Sequence, residues 1–147
     1  MGYDTCMNIQ IKKLDPEAKL PTYGHPGDAG MDFYTLEETV VPAGKIAKIK
    51  TGIAMKIPVG YVGLVWDKSG VSINGGIKTL GGVIDAGYRG EIMIGVYNFK
   101  GEDFTFEKGQ KVTQLLVQPV VAGQIEEVSD LDETSRGEGG FGSTGAH

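Results

Sequence analysis

Several residue types and patterns are scarce in this 147-residue sequence, and each scarcity excludes a class of protein. With one cysteine, Cys6, no internal disulfide can form, and two histidines are too few for a Cys/His zinc set. No stretch approaches the roughly eighteen apolar residues of a membrane span, and no apolar leader is recognisable, so we expect a cytoplasmic protein without a membrane partner. The net charge of −5 argues against a protein that coats nucleic acid.

Glycine is abundant instead, with 24 residues, and apolar residues mostly alternate with polar ones. This period of two, with turn residues about every 8–12 positions, predicts an all-β sandwich, jelly roll or barrel. One short helix fits at 67–72, where Asp67 or Ser69 can cap the first turn. The predicted strands are 7–13, 31–35, 45–51, 53–58, 61–66, 91–98, 103–107 and 111–121.

The composition changes at Asp130. The segment DLDETSRGEGGFGSTGAH carries a single large apolar residue, Phe141, and therefore cannot bury itself. We expect one domain, a β core over 1–129, followed by a flexible C-terminal arm over 130–147.

The stretch GGVIDAGYRGE at 81–91 places an acid and an aromatic ring on either side of Ala86-Gly87. It predicts a β-hairpin in which Gly87 takes a positive φ, and in which Asp85 and Tyr88 are neighbours across the two strands. Taken alone, an aspartate before a turn and a tyrosine in a strand are both ordinary.

The tail matches G-x-G-x-x-G at Gly137, Gly139 and Gly142, but the chain shown ends too soon afterwards for the helix that a dinucleotide-binding turn requires. Two interpretations stay open for the tail taken alone. It is a disordered end, or it is a mobile phosphate-binding segment in which Arg136, Ser143 and Thr144 are donors and Phe141 is a flat apolar surface.

Five segments, taken together and in order, resemble the motifs of the trimeric dUTP diphosphatase (dUTPase) family over nearly the whole chain. The third and fifth are the specific ones. The segments are AGMDF (29–33), DKSG (67–70), GGVIDAGYRGE (81–91), GQKVTQLL (109–116) and RGEGGFGSTG (136–145).

The resemblance implies a jelly-roll-like β fold, a homotrimer whose active sites are shared between subunits, and hydrolysis of dUTP to dUMP and pyrophosphate with Mg²⁺. It also implies that Asp85 orients and deprotonates the water that attacks the α-phosphorus. Tyr88 would lie under the deoxyribose and leave no space for a ribose 2′-OH. The uracil contacts that it implies are Thr79, Gly82, Val83, Ile84 and Met93.

The resemblance assigns the phosphates to the other motifs. Gln114 would hold the phosphate or the water, and Asp32 would reach Mg²⁺ through water, since this ion prefers phosphate oxygens and waters. Phe141 would stack on uracil. The implied phosphate contacts are Lys68, Ser69 and the Gly70 amide at the α- and β-phosphates, and Arg136, Gly142, Ser143 and Thr144 of the arm towards the γ end.

The second motif departs from the family, which usually has Pro-Arg-Ser where this chain has Asp67-Lys68-Ser69. Lysine is a flexible point charge, whereas arginine binds phosphate through two parallel hydrogen bonds. Asp67 adds a negative charge beside a site for an anion, and we expect its side chain to point away from Lys68.

Two other functions remain to be weighed. The dCTP deaminases share the fold and a similar hairpin, but they carry a glutamate proton shuttle ten residues past the hairpin aspartate, where this chain has Gly95. Deamination, alone or combined with dUTP hydrolysis, is therefore disfavoured. A non-catalytic nucleotide-binding regulator is the third possibility, and the intact Asp85 and arm motif argue against it.

Overall fold

Strands form in this chain where β-branched and aromatic residues are frequent, and Gly-, Pro- or Asp-containing turns separate them. The computed structural model describes residues 7–140, and this range contains twelve strands. They are β1 (Gln10–Lys13), β2 (Thr22–Tyr23), β3 (Gly30–Tyr34), β4 (Thr39–Val41), β5 (Ile46–Ile49), β6 (Ile53–Lys56), β7 (Tyr61–Asp67), β8 (Ile77–Leu80), β9 (Val83–Ile84), β10 (Ile94–Asn98), β11 (Phe104–Phe106) and β12 (Lys111–Pro119).

The strands pair antiparallel in four small sheets. The largest has the order β2-β3-β12-β7-β9, and the three-stranded sheet has the order β5-β10-β8. The remaining pairs are β1-β6 and β4-β11. The largest sheet joins strands far apart in sequence, so it brings the second, third and fourth motifs onto neighbouring strands.

The core lies between the sheets and is built from residues at alternate positions. In β10, Ile94 and Val96 are buried, and Gly95 and Tyr97, which alternate with them, are partly exposed. The same alternation follows from the period of two in the sequence. The largest buried side chains include Phe33, Ile49, Phe106 and Leu115. The predicted all-β class is therefore confirmed.

The short helix begins later than the sequence predicts. It is a single π-helical segment, Gly70–Asn74, rather than a helix over 67–72. Asp67 is the last residue of β7, and Ser69 precedes the helical segment without a capping hydrogen bond from its side chain. The predicted cap is wrong because the carboxylate of Asp67 is held by β8, as described below.

The chain leaves the sheets after Pro119, the end of β12. Residues 120–140 contain no strand or helix, and large apolar side chains on this segment are exposed, among them Val121, Ile125 and Leu131. The boundary at 129/130 between core and arm stays a prediction. No helix in residues 7–140 has the length and apolar character needed to cross a bilayer.

Candidate active site

The segment around Asp85 forms a tight turn but not the predicted hairpin. The amide of Tyr88 donates to the Asp85 carbonyl at 3.0 Å, which closes the turn over Ala86-Gly87. The strand before the turn, β9, pairs with β7 instead of with the residues after the turn. Asp85 and Tyr88 are thus the two ends of one turn and not cross-strand partners.

The predicted positive φ is also at a different place. Gly87 is not among the glycines with positive φ, whereas Gly81 and Gly82 have φ values of 71° and 108°. A Cβ on Gly82 would lie 2.9 Å from the Val65 carbonyl oxygen, so only glycine fits here. Glycine is required where β9 enters the sheet, and the turn itself does not need it.

A cavity of about 300 Å³ lies beside this turn, and we call it the Asp85 cavity. Two of its lining residues hold each other in place, because the Tyr88 hydroxyl donates to the Glu91 carbonyl at 2.8 Å. The Glu91 carboxylate accepts hydrogen bonds from the Thr51 and Gly52 amides at 3.1 and 2.8 Å. The lining consists of Lys48, Val83, Ile84, Asp85, Tyr88, Glu91, Ile92, Met93 and Gly95.

The cavity includes most of the residues predicted to contact the nucleoside. Val83, Ile84, Tyr88 and Met93 line it, and so does Asp85, the predicted base, whereas Gly82 does not. Asp85 is exposed and forms no ion pair with any residue in the range 7–140. Its carboxylate is therefore free to accept a proton or a hydrogen bond from a ligand.

A second, polar cavity of about 570 Å³ contains Lys68, and we call it the Lys68 cavity. Lys68 Nζ lies 2.7 Å from Asp32 Oδ1, and Lys111 Nζ lies 2.7 Å from Asp32 Oδ2. Burial by itself would raise the pKa of Asp32, but hydrogen bonds from Lys111 and Lys68 outweigh it and hold the pKa below its usual value. Asp28 and Asp67 line the same cavity, so its net charge does not by itself favour an anion, but Lys68 and Lys111 both retain donors that an anion can use.

Gln114 also lines this cavity. Its side-chain Nε2 donates to the Asp67 carbonyl at 2.9 Å. Gly30 makes room for it, because a Cβ on Gly30 would lie 2.6 Å from Gln114 Oε1. Trp66, which faces Gln114 in the register of β7 and β12, is 55% exposed and lines the same cavity.

The Asp67 carboxylate is bound by residues of β8 and forms no ion pair with Lys68, although Asp67 also lines the Lys68 cavity. Its Oδ1 accepts hydrogen bonds of 2.8 Å from both the amide and the hydroxyl of Thr79, and Lys78 pairs with Oδ2. Burial again opposes the shift, but these hydrogen bonds lower the pKa of Asp67. Thr79 therefore fastens β8 to the end of β7, and it does not line the Asp85 cavity.

Three other predicted phosphate contacts, Ser69, Gly70 and Arg136, line neither cavity. Ser69 and Gly70 are exposed at the start of the helical segment. Arg136 is exposed, and its Nε donates to the Gly139 carbonyl at 3.0 Å within a local turn. Phe141, Gly142, Ser143 and Thr144 lie outside the described residues.

The donor groups of residues 7–140 do not form a direct Mg²⁺ site. No group of three or more His, Cys, Asp or Glu residues in the described range could hold a metal ion. Both oxygens of Asp32 are paired with lysine ammonium groups, so Asp32 does not fit a direct ligand. Any Mg²⁺ would therefore need phosphate oxygens and waters as ligands, which is its usual preference.

The sequence matches one known protein family over most of its length. The dUTPase family model matches residues 16–145. The chain belongs to the dUTPase family. This membership confirms the resemblance carried by the five motifs, and with it the prediction of an enzyme of the dUTP diphosphatase type.

Individual relatives extend along almost the whole chain. A deoxyuridine 5'-triphosphate nucleotidohydrolase of Clostridioides difficile is 44% identical over 140 residues, which cover 94% of this chain and 98% of the relative. A protein of the same name from Clostridium tetani is 45% identical over 143 residues, 96% of this chain and 99% of the relative.

Solved structures of dUTPase family members agree with the fold. The dUTPase of Staphylococcus bacteriophage 80alpha, solved with dUPNHPP, superposes with a TM-score of 0.89 at 32% identity and covers 95% of this chain and 99% of its own. A dUTPase from phage phi11 of S. aureus, whose structure concerns a structural Mg(II) ion, has a TM-score of 0.79 at 30% identity over 84% of this chain and 98% of its own. The predicted jelly-roll-like fold is confirmed.

Sequence reasoning missed several residues of the dUTPase-type cavities. Lys111 is part of the fourth motif, but the sequence does not show that β3 pairs with β12. This pairing brings the Lys111 ammonium group to the Asp32 carboxylate. Glu91 was inside the third motif, but its bonds to residues 51 and 52 join segments that no local pattern connects. Trp66 and Lys48 lie in no motif, and the alternation of the strands predicts only that their side chains are exposed.

Proposed function

We propose that this chain hydrolyses dUTP to dUMP and pyrophosphate in an Mg²⁺-dependent reaction. Such a reaction keeps uracil out of DNA and supplies dUMP for thymidylate synthesis. The observation that carries the proposal is the position of Asp85, an exposed carboxylate without an ion-pair partner in residues 7–140, on the wall of a cavity that Tyr88 also lines.

In the proposed reaction a water molecule attacks the α-phosphorus, and the bond from this phosphorus to the oxygen that bridges it to the β-phosphorus breaks. Asp85 takes the proton of the water as a general base. Pyrophosphate leaves with the bridging oxygen. Mg²⁺, when bound to the triphosphate, would neutralise part of its charge, and Asp32 would contact the ion only through water.

Recognition of the nucleoside falls to the Asp85 cavity. The ring of Tyr88, fixed by its hydrogen bond to Glu91, would pack under the deoxyribose and exclude a ribose 2′-OH. The backbone of residues 82–84 would bind uracil, although the Gly82 carbonyl already accepts from the Val65 amide at 2.8 Å. Phe141 of the arm would stack on the base.

Recognition of the phosphates falls to the Lys68 cavity and the arm. Lys68, Ser69, the Gly70 amide and the free side of the Gln114 side chain would bind the phosphates or the water. Arg136, Gly142, Ser143 and Thr144 would close on the γ end. Positioning and charge neutralisation provide most of the rate enhancement in phosphoryl transfer.

We also propose a homotrimer with shared active sites. Two features support it. The two cavities share no lining residue within one chain, and apolar side chains such as Val121 and Ile125 are more than nine-tenths exposed on the segment that follows β12. A cytoplasmic location is part of the proposal and rests on the single cysteine.

A nucleotide panel with Mg²⁺, analysed by chromatography, tests the function. We expect dUMP and pyrophosphate from dUTP. Deoxyuridine triphosphate formed from dCTP would instead identify a deaminase, which Gly95 disfavours because it leaves no shuttle at that position of the cavity wall. Glu91, which also lines this cavity, does not replace the shuttle, because its carboxylate accepts hydrogen bonds from two backbone amides. Binding of dUTP without any product would identify a regulator.

A further inference from the structure

One cation of the Asp85 cavity has no part in the reaction as proposed above. Lys48 lies in β5 and lines the cavity together with Asp85 and Tyr88. It is the one basic residue among those that the structure places on the cavity wall. Within residues 7–140 its ammonium group forms no ion pair. A cation in a ligand-sized cavity without a protein partner is available to a ligand.

The direction of the Lys48 side chain follows from the register of the sheet. Lys48 pairs with Gly95, and the next pair is Ile49 with Ile94. Both isoleucines are buried, so Lys48 and Gly95 lie on the opposite, outward face. Because Gly95 has no side chain, the partner position adds nothing to fill the cavity beside Lys48.

We propose that Lys48 is a specificity-determining residue that donates a hydrogen bond to the C4 carbonyl oxygen of uracil. The inference rests on the proposed function, since it assigns a substrate contact in the same site. An ammonium group has three donors and no acceptor. Uracil presents a carbonyl oxygen at C4, whereas cytosine presents an amino group there, so a donor in the protein would face a donor in the base.

This pairing adds discrimination to any hydrogen bonds from the backbone of residues 82–84. A donor that faces another donor loses its hydrogen bond to water without gaining one from the base, so the wrong base binds more weakly. The cavity wall favours a base that accepts a hydrogen bond at C4.

The test compares two non-hydrolysable nucleotides, α,β-imido-dUTP and α,β-imido-dCTP, by titration calorimetry with Mg²⁺. Lys48→Met removes the donor while keeping the length of the side chain. We expect the dissociation constant of the uracil analogue to rise about tenfold, as for loss of a charge-assisted hydrogen bond, and that of the cytosine analogue to stay within twofold. Lys48→Gln, whose amide can also accept, should bind the cytosine analogue more tightly than the parent does.

Lys45→Met is the matched control, because Lys45 is an exposed lysine just before β5 that lines neither cavity. It should change neither dissociation constant. Equal weakening of both analogues by Lys48→Met would assign Lys48 to the sugar or the phosphates and overturn the inference, as would unchanged binding of both. A parent protein that binds neither analogue overturns the proposed function itself, and this inference with it.

Discussion

The ammonium group of Lys68 lies 2.7 Å from Oδ1 of the buried Asp32 carboxylate. The lysine that replaces the family's usual arginine therefore has an internal partner, and Lys111 occupies the other oxygen of the same carboxylate. The Asp32 carboxylate thus lies between two cations, and each lysine retains donors that can turn towards a phosphate. The ion pairs with Asp32 therefore position both ammonium groups.

Replacement of Lys68 by alanine should reduce kcat/KM for dUTP by an amount equivalent to about 1.5–3 kcal/mol, as for loss of a charge-assisted hydrogen bond. Lys68→Arg should be tolerated or mildly beneficial, because the guanidinium can hold Asp32 and a phosphate through separate donors. Steady-state kinetics with Mg²⁺ measures both.

Lys108→Ala serves as the control for this pair, since Lys108 is an exposed lysine that pairs with the exposed Glu17. It should leave kcat/KM unchanged. If Lys68→Ala also left kcat/KM unchanged, Lys68 would be a structural partner of Asp32 alone, and the second motif's phosphate contacts would reduce to Ser69 and the Gly70 amide.

Asp32→Asn should destabilise the protein in a pH-dependent way. The pKa of Asp32 is lower in the folded state than in the unfolded chain, so its stabilising effect is complete above the ordinary aspartate pKa of about 3.9. The effect is lost as the pH falls through the lower pKa of the folded state. We expect the variant to be less stable by about 1–3 kcal/mol at pH 7, and the difference to shrink below pH 4.

Urea unfolding at one fixed protein concentration measures the difference, because assembly would make apparent stability depend on concentration. Asp132→Asn is the control, since Asp132 is exposed and has no ion-pair partner in the described range. A difference that stays the same from pH 7 to pH 3 would show that the amide disturbs packing and that the carboxylate charge is not what matters.

The alternating pattern was sufficient for the fold class and for the long strands, because a strand such as β12 carries enough residues for the period of two to be recognised. It was insufficient for β2, β4 and β8, which have two to four residues each and lie outside the predicted strands. The strand character of β4 and β8 depends on pairing with β11 and β10, which follow later in the sequence. The helix was placed too early because Asp67 suits an N-cap locally, while its actual donor, Thr79, is twelve residues further on.

The candidate site was predicted in part for the same reason. Motifs identify residues within a segment, so Asp85, Tyr88 and Lys68 were found, but they do not show which segments meet. The antiparallel pairing of β3 with β12 places Lys111 on Asp32, and the pairing of β5 with β10 places Lys48 beside Gly95. Both relationships are long-range and carry no local signature.

Removal of residues 135–147 should leave assembly intact and abolish most turnover. The last strand within residues 7–140 ends at Pro119, so none of the removed residues that the structure describes belongs to a sheet. It removes Arg136 and the residues of the fifth motif that would close on the nucleotide. Light scattering should give the mass of a trimer for both proteins, and an assay with dUTP should show activity only for the full chain. A monomeric full chain, or a fully active truncated one, would contradict the prediction.

Asp85→Asn should remove nearly all turnover while nucleotide binding persists. The amide keeps the shape of the carboxylate but cannot take a proton from water. Because the Asp85 carbonyl closes the turn with the Tyr88 amide through the backbone, the substitution should leave that turn and the Asp85 cavity unchanged. Calorimetry with α,β-imido-dUTP should give a dissociation constant within a few-fold of the parent's, and product release from dUTP should fall by several orders of magnitude. Asp85→Glu, which keeps the carboxylate but moves it by one methylene, should retain more activity than the asparagine variant. Turnover of Asp85→Asn within tenfold of the parent would assign the proton acceptor to another group.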